Sequence, residues 1–585
     1  MPRALAPLCC LLALAAPLPA AAQTAGQAPA QPERGGVRAA QAASAEARRF
    51  MAVAAHPLAS DAGRDVLERG GSAADAAVAM QAMLGLVEPQ SSGLGGGLFA
   101  LHWDASEGRM MSVDGREAAP AAATPDYWLT AEGDPKGFWD AAIGGRSVGV
   151  PGTVAALERL HRSHGRLPWA ELFEAAIATA EAGFEVSPRM AASIARAQDR
   201  GLDRFAEARA YFFDEAGAPL AAGTVLRNPA YAATLRQIAR DGAAALQEGE
   251  IAEAILAAIR AAPDNPGELT AEDLSRYAAK ARPPVCVDYR EWQVCGMGPP
   301  SSGGLTVGQI LGLLEPFDLA ALGDGPEAWH LFAEASRLAY ADRALYMADV
   351  DYFPMPMSGL LDEAYLASRS ALIDPQRSMG RADPGEPPQD DARLQAPDLS
   401  HPKPGTTHFV AVDDRGDMIS ITSSIETGFG SRLMAGGFLL NNQLTDFSFR
   451  PTDEGRPIAN RVEGGKRPRS SMAPTIVLRD GAPVLLIGSP GGSRIIAYVA
   501  ANLVRLLDFG MDPAEALARG HVVNRNGVTD LEAGTEAESL APTLEALGHE
   551  IRIRDLNSGL HVIAIEGETL RGAADPRREG VPRGE

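Results

Sequence analysis

Two adjacent threonines in "HPKPGTTHFVAVDDRGDMISITSS" are the residues whose type and position could do chemistry. A threonine hydroxyl is a weak nucleophile until a base stands beside it. Inside a chain, the nearest base to Thr406 is His408, two residues on and on the same face of a strand. As the first residue of a chain, Thr406 would own an α-amine with an ordinary pKa of about 7.7–8.0, close to what general-base catalysis at neutral pH needs. Gly405 suits that second role, because without a Cβ it tolerates a strained peptide and leaves its carbonyl open to the Thr406 hydroxyl. An N-to-O acyl shift followed by hydrolysis would then free the amine. The alternative is a β-former opening an ordinary hairpin, and the residues alone leave both readings open.

The hairpin itself can be set in register. Asp414-Arg415-Gly416 forms a three-residue loop with glycine at the left-handed position. Asp413 then pairs with Asp417, and Thr406 falls opposite Ser424. A second candidate is "LLIGSPGGSRII", which reads as a strand, a tight turn at Gly491-Gly492 and a helix capped by Ser493. Its outward N–H groups could hold an anion or a developing oxyanion, and the lack of GxxxxGK[ST] argues against a phosphate loop. "GLGGGLF" lacks the dinucleotide spacing and reads as close packing. His161 and His164 have no carboxylate or cysteine to complete a metal site. Ser470 and Ser471 follow a basic cluster in "GGKRPRSSMAPTIV". Arg116 ends a strand in "VDGREAAP", by default as half of a salt bridge. Gln443 and Asp446 read as turn residues in "NNQLTDFS".

These residues need elements to hold them. From about Ala45 to Leu399 apolar residues recur at three- and four-residue spacing, predicting helices with short strands such as "GLFALHWD" and "RMMSVDGRE" between them. The stretch from Ile373 to Gly405 is rich in Pro and Asp and predicts an exposed, cuttable loop. From Thr406 the period changes to that of strands, with a helix in "SRIIAYVAANLVRLLDFG". Strands between helical layers predict an α/β or α+β sandwich.

The bulk composition narrows the class. The 585 residues are 46% hydrophobic and 22% charged, a globular composition, and the net charge of -22 argues against nucleic acid or an anionic membrane as partner. Residues 1–22, with Arg3, a short apolar run and Ala20-Ala21-Ala22, read as a secretory signal, so the protein is expected to be exported, periplasmic or secreted, with no membrane span. Cys9 and Cys10 belong to that segment. Cys286 and Cys295 fall opposite each other in a hairpin around Arg290-Glu291, where they could form a disulfide or remain buried thiols.

Taken in order, "GGSAADAAVA", "EPQSSGLGGG", "REAAP", "VPGTV", "GPPSSGG", "GTTHF", "LLNNQLTDFS", "KRPRSSMAPT" and "GSPGGSRI" resemble the γ-glutamyltransferase (glutathione hydrolase) family of N-terminal-nucleophile hydrolases, from about Phe50 to Pro576. The resemblance implies an α+β fold, a four-layer αββα sandwich formed by two chains from one autoprocessed precursor. It implies a cut between Gly405 and Thr406, with a large subunit at 23–405 and a small one at 406–585. By position, Thr406 matches the nucleophile and Ser424 its supporting hydroxyl, often Thr in the family. Gly491 and Gly492 match the oxyanion hole. Arg116, Ser470 and Ser471 match the residues that bind the glutamyl α-carboxylate, and Gln443 and Asp446 those facing its α-ammonium. Glu426 stands where many members carry Asn, and a carboxylate there adds attraction for an ammonium. The stretch between Asp446 and Ser470 looks shorter than a full active-site lid. The implied partners are γ-glutamyl donors such as glutathione, with water or an amino acid or peptide amine as acceptor, and no metal or other cofactor. A glutaryl or cephalosporin acylase is the close rival, and an unprocessed exported binding protein the rival from another class.

Overall fold

The hairpin opened by the two threonines lies at the centre of a sheet. The computed structural model describes residues 41–388, 395–398, 400 and 405–585. Residues 1–40, which include the signal expected at 1–22, lie outside the described residues. β-Branched and aromatic residues place Thr406–Val412 and Met418–Ser424 in adjacent antiparallel strands. Asp413 Oδ1 accepts from the backbone N–H groups of Arg415 and Asp417, and Gly416 takes a φ of 85°, which closes the turn. The register runs from Val412 opposite Met418 to Thr406 opposite Ser424, as the loop arithmetic predicts.

Two seven-stranded sheets, all of whose pairs are antiparallel, face each other. The first runs Val581–Gly584, Met51–Ala54, Thr406–Val412, Met418–Ser424, Gly97–Asp104, Arg109–Gly115, Lys280–Arg282. The second runs Ala43–Ala47, Thr569–Ala574, His561–Glu566, Ala482–Gly488, Thr475–Arg479, Trp292–Gly296, Val285–Tyr289. Val410, Val412, Met418, Met51 and Leu101 of the first sheet meet Ile476, Leu486 and Ile563 of the second in a shared core. The alternate residues Phe409, Ala411, Ile419 and Ile421 point outward under helices that include Pro57–Glu68 and Ala73–Val87. Val477, Leu485, Ile487 and Val562 do the same under Gly303–Leu314, Pro326–Tyr346 and Ile495–Leu507. The result is an αββα sandwich. Helix Ala73–Val87, started by a Ser72–Asp75 capping box, is buried along its whole length, which is why its sequence is apolar all round.

Both sheets contain strands from before and from after Gly405. In the first sheet, Thr406–Val412 is bonded to Met51–Ala54, and Met418–Ser424 to Gly97–Asp104. In the second, Thr475–Arg479 is bonded to Trp292–Gly296. Hydrogen bonding across the whole fold therefore joins the two stretches of sequence.

Some local expectations need correction. The stretch from Ile373 to Gly405 is not wholly exposed: Ala396 and Asp398 are buried, and Asp398 Oδ2 accepts from Arg469 and Asn460. Ser493 is not a helix cap. It lies in a 3₁₀ turn, Gly492–Arg494, ahead of the helix, and its hydroxyl accepts from Arg525. Cys286 and Cys295 are opposed, as the hairpin predicts, and are bonded as a disulfide. The glycines of "GLGGGLF" serve packing: a Cβ on Gly95 would lie 2.2 Å from the Leu439 carbonyl oxygen, and one on Gly96 2.2 Å from that of Ser424. Among the described residues no helix is long and apolar enough to cross a membrane.

Candidate active site

The strand start that carries Thr406 is buried and fully bonded. Thr406 Oγ1 donates to Ser424 Oγ at 3.2 Å, and Ser424 Oγ donates its own proton to the Gly405 carbonyl at 3.0 Å. The Glu426 N–H donates to the same Ser424 oxygen at 2.9 Å, so the serine uses its one donor and both acceptor positions. One hydroxyl thus holds the Thr406 side chain and polarises the carbonyl before it. Only glycine fits at 405, where a Cβ would stand 2.1 Å from the Glu426 carbonyl oxygen.

The second threonine faces the other way. Thr407 Oγ1 donates to Glu88 Oε2 at 3.3 Å, beneath the helical layer. His408 shares the face of Thr406, yet its Nδ1 is bonded to Thr422 Oγ1 at 2.9 Å and its ring stacks on His561, with centroids 6.2 Å apart. Burial holds His408 well below its ordinary pKa, helped by His561. It is a neutral core group, and the base that Thr406 needs must come from elsewhere.

The Gly491-Gly492 turn follows strand Ala482–Gly488, with φ of 139° and 60°. A Cβ on Gly491 would lie 2.6 Å from the Tyr498 ring. Contacts with the Thr406 strand fix the place of this turn. Gly488 lies against His408, where a Cβ would stand 2.2 Å from the ring. Pro490 packs near Gly559, which is itself pressed on Arg578, and Arg578 donates to the Thr406 carbonyl at 2.9 Å.

The remaining predicted residues fall in hydrogen-bonded groups that meet at chain neighbours. Arg116, at the end of strand Arg109–Gly115, is fully buried, and its Nη2 lies 2.5 Å from Asp446 Oδ2. Its Nε donates to the Pro468 carbonyl at 3.1 Å and Nη2 also to that of Arg469 at 3.3 Å, just before Ser470. Gln443 and Asp446 share a 3₁₀ turn, across which Gln443 Nε2 donates to Asp446 Oδ2 at 2.8 Å. Gln443 Oε1 and Asp446 Oδ1 are buried with no hydrogen-bond partner among the described residues. These two acceptors, on residues of one short turn, are open to a hydrogen-bond donor such as an ammonium. Glu426, at a left-handed φ of 76°, accepts from Asn442 Nδ2 at 3.1 Å, next to Gln443. Ser471 Oγ accepts from Arg343 Nη2 at 2.7 Å, and the Ser470 carbonyl from Ser302. Hydrogen bonds thus link Thr406, Ser424, Glu426 and Asn442 in one group and Gln443, Asp446 and Arg116 in another, joined where Asn442 precedes Gln443, and the bond from Arg116 to the Arg469 carbonyl ends one residue before Ser470.

Sequence reasoning missed several of its members. Glu117, inside the quoted "REAAP", is buried 3.7 Å from Arg116, and burial pushes its carboxyl up to about 8. Arg343 lies in mid-helix with no motif to mark it, and burial beside Arg469 pulls it down to about 9. Asn442 and Glu88 stood inside quoted motifs without a role, and Arg578 in none.

The stretch after Asp446 forms a small exposed hairpin, Thr452–Asp453 with Arg456–Pro457, followed by buried Ile458 and Ala459. His161 bonds the Leu167 carbonyl and His164 stacks on His102, so these two serve packing. Among the described residues, His330, Glu334 and His549 come close enough together to hold a metal. There, however, Arg337 donates to Glu334 at 2.8 Å and lies 3.2 Å from His549 Nδ1, so a guanidinium already contacts two of the three residues. Burial first of all lowers His549 and His561 to about 4 and His102 to about 3. An unfolded histidine titrates near 6.5, so the unfolded chain binds more protons below that pH. With His408 lowered as well, the buried histidines outnumber Glu117, whose raised carboxyl acts in the opposite sense, so stability is expected to fall as pH drops from about 6.5 towards about 4. Urea midpoints at about pH 7.5 and about pH 5 measure this, and equal midpoints would contradict it.

A four-layer αββα sandwich with a buried threonine at the start of a central strand is the architecture of the N-terminal-nucleophile hydrolases. Residues 59–584 match the gamma-glutamyltranspeptidase family, and the chain belongs to it. It is 36% identical over 548 residues to the glutathione hydrolase proenzyme of Escherichia coli (strain K12), covering 91% of each chain. It is 35% identical over 546 residues to the glutathione hydrolase proenzyme of Bacillus subtilis (strain 168), again covering 91% of each. A solved cephalosporin acylase from Bacillus halodurans superposes with a TM-score of 0.81 at 26% identity, covering 93% of this chain and 97% of that one. The protein is an enzyme of the γ-glutamyltransferase and glutathione hydrolase kind, with acylases among its relatives.

Proposed function

We propose that this chain cuts itself between Gly405 and Thr406 and then cleaves γ-glutamyl amides such as glutathione through a γ-glutamyl ester on Thr406. The observation that carries this reading is the Ser424 hydroxyl, which receives the Thr406 hydroxyl and donates to the Gly405 carbonyl at 3.0 Å. In processing, Thr406 Oγ attacks the Gly405 carbonyl carbon while Ser424 stabilises the developing oxyanion. The C–N bond breaks as the C–O bond forms, and Thr406 nitrogen takes up the proton. Water then hydrolyses the ester to leave the Gly405 carboxylate and a free Thr406 α-amine. A large subunit, 23–405, and a small one, 406–585, remain joined by the two sheets to which both contribute strands.

In catalysis the Thr406 α-amine accepts the hydroxyl proton as Oγ attacks the γ-carbonyl, and the Gly491 and Gly492 N–H groups receive the oxyanion. The leaving amine takes the proton from the α-ammonium. Water then yields glutamate, or an amino acid or peptide amine yields a new γ-glutamyl amide. Arg116, Ser470 and Ser471 hold the substrate α-carboxylate, and Gln443, Asp446 and Glu426 its α-ammonium. Fixing both α-groups leaves the side-chain end at the nucleophile, which explains γ- over α-amide cleavage. The orphaned acceptors on Gln443 and Asp446 favour this over a glutaryl acylase, whose substrate offers no ammonium there. Residues 1–22 direct export to an oxidising compartment, in keeping with the Cys286–Cys295 bond.

The test is a denaturing gel of the purified protein with N-terminal sequencing of the smaller band. Two bands, the smaller starting Thr-Thr-His-Phe, are expected. A single intact band from an active preparation would overturn the reading.

A further inference from the structure

Arg578 lies outside every motif, yet it is the cation that touches the proposed nucleophile. Its side chain is 1% exposed. Its Nη1 donates to the Thr406 carbonyl at 2.9 Å and its Nε to the Ser558 carbonyl at 3.0 Å. Gly559 clamps it, since a Cβ there would lie 2.5 Å from Arg578 Cδ and Nε. A neutral donor would satisfy a carbonyl equally well, and a buried guanidinium is costly to desolvate. The charge here is faced by the Glu88 carboxylate at 3.7 Å and lies against the Thr406 carbonyl, so it acts on the strand start as well as on its ion pair.

The other charged groups around the strand start are accounted for. Glu88 lies 3.7 Å from Arg578 Nη1 and also binds Arg189 Nε at 2.9 Å, so one carboxylate faces two guanidinium groups. On the segment of Arg578 itself, Asp575 is paired with Arg577 at 3.0 Å, and Glu579 accepts from the Arg189 N–H. Beyond Ser424 stands Glu426, and between the sheets His408 and His561 are neutral. His56, at the helix N-terminus near Glu88, is lowered by burial.

We propose that Arg578 is a positioning residue for the reaction: it fixes the Thr406 carbonyl, and so the direction of the α-amine, and its positive charge keeps that amine unprotonated at neutral pH. This rests on Thr406 being the N-terminus of a processed chain. A nearby cation disfavours an ammonium, and a nearby carboxylate favours it. The acid limb of kcat/KM reports the protonation of the free enzyme's base. It is therefore the readout that a merely structural role would leave in place.

The experiment compares pH profiles of kcat/KM for γ-glutamyl anilide in wild type, Arg578→Met, Arg578→Lys and Glu88→Gln, all as processed two-chain enzyme. Arg578→Met should move the acid limb up by about one pH unit or more, Arg578→Lys should restore it, and Glu88→Gln should move it down. Opposite signs cannot come from a general loosening of the site. If Arg578→Met stays uncut, the direction of the Glu88→Gln shift decides. An acid limb unmoved in Glu88→Gln, or moved upward, overturns the proposal, as does a processed Arg578→Met with an unmoved limb. Wild-type activity without a two-chain product would instead overturn the processing on which it rests.

Discussion

Thr406→Ala is expected to run as one uncut chain and to hydrolyse γ-glutamyl anilide on the order of 10⁴-fold more slowly than wild type, or worse. The substitution removes the hydroxyl that attacks Gly405 and the hydroxyl that attacks substrate, which on this reading are the same group. It should not unfold the protein. Ser424 keeps its bonds to the Gly405 carbonyl and the Glu426 N–H, so the change costs about one hydrogen bond, roughly 1 kcal/mol. Thr406→Ser, which keeps an oxygen, should process and retain activity. Circular dichroism and a thermal melt alongside the gel separate a dead site from a lost fold. Cleavage at Gly405 in the alanine variant would remove Thr406 from processing, and turnover by that variant would remove it from catalysis.

Asp446→Asn separates a γ-glutamyl enzyme from an acylase. Asn retains an acceptor for Gln443 and Arg116, whose contacts lie at 2.8 and 2.5 Å, but loses the charge that would face an α-ammonium. Losing one partner of a desolvated, hydrogen-bonded charge pair costs about 2–5 kcal/mol, so kcat/KM for γ-glutamyl anilide should fall on the order of 10²-fold or more. The loss should fall mainly on KM. Glutaryl anilide has no ammonium, and its rate should change less than about threefold. Equal losses on both substrates would mean that Asp446 acts only by holding Arg116 in place.

The strand pair, its loop and its register were legible in advance because they rest on local rules: β-branched residues, an aspartate turn and a glycine at a φ of 85°. The opposition of Thr406 and Ser424, and of Cys286 and Cys295, follows from counting along hairpins, where pairing has no freedom once the turn is set. The order of motifs also placed the family, which the match over residues 59–584 bears out. What lay beyond reach was everything that depends on packing between distant segments. His408 shares the face of Thr406, but the opposing sheet buries it against His561 and turns it to Thr422. Asp398, in a stretch with every mark of a surface loop, is buried because Arg469 and Asn460 meet it there.

Thus the sequence alone determined the register that sets Thr406 opposite Ser424 and the motif order that marks the family, since spacings along a hairpin and along a chain are local facts. Tertiary structure decided which groups surround them. Glu88, Arg343 and Arg578 lie far apart in the chain, and only the closing of helices and sheets brings Glu88 and Arg578 to the Thr406 strand and Arg343 to Ser471. Buried charge has no sequence period, because its position is set by the partner that compensates it.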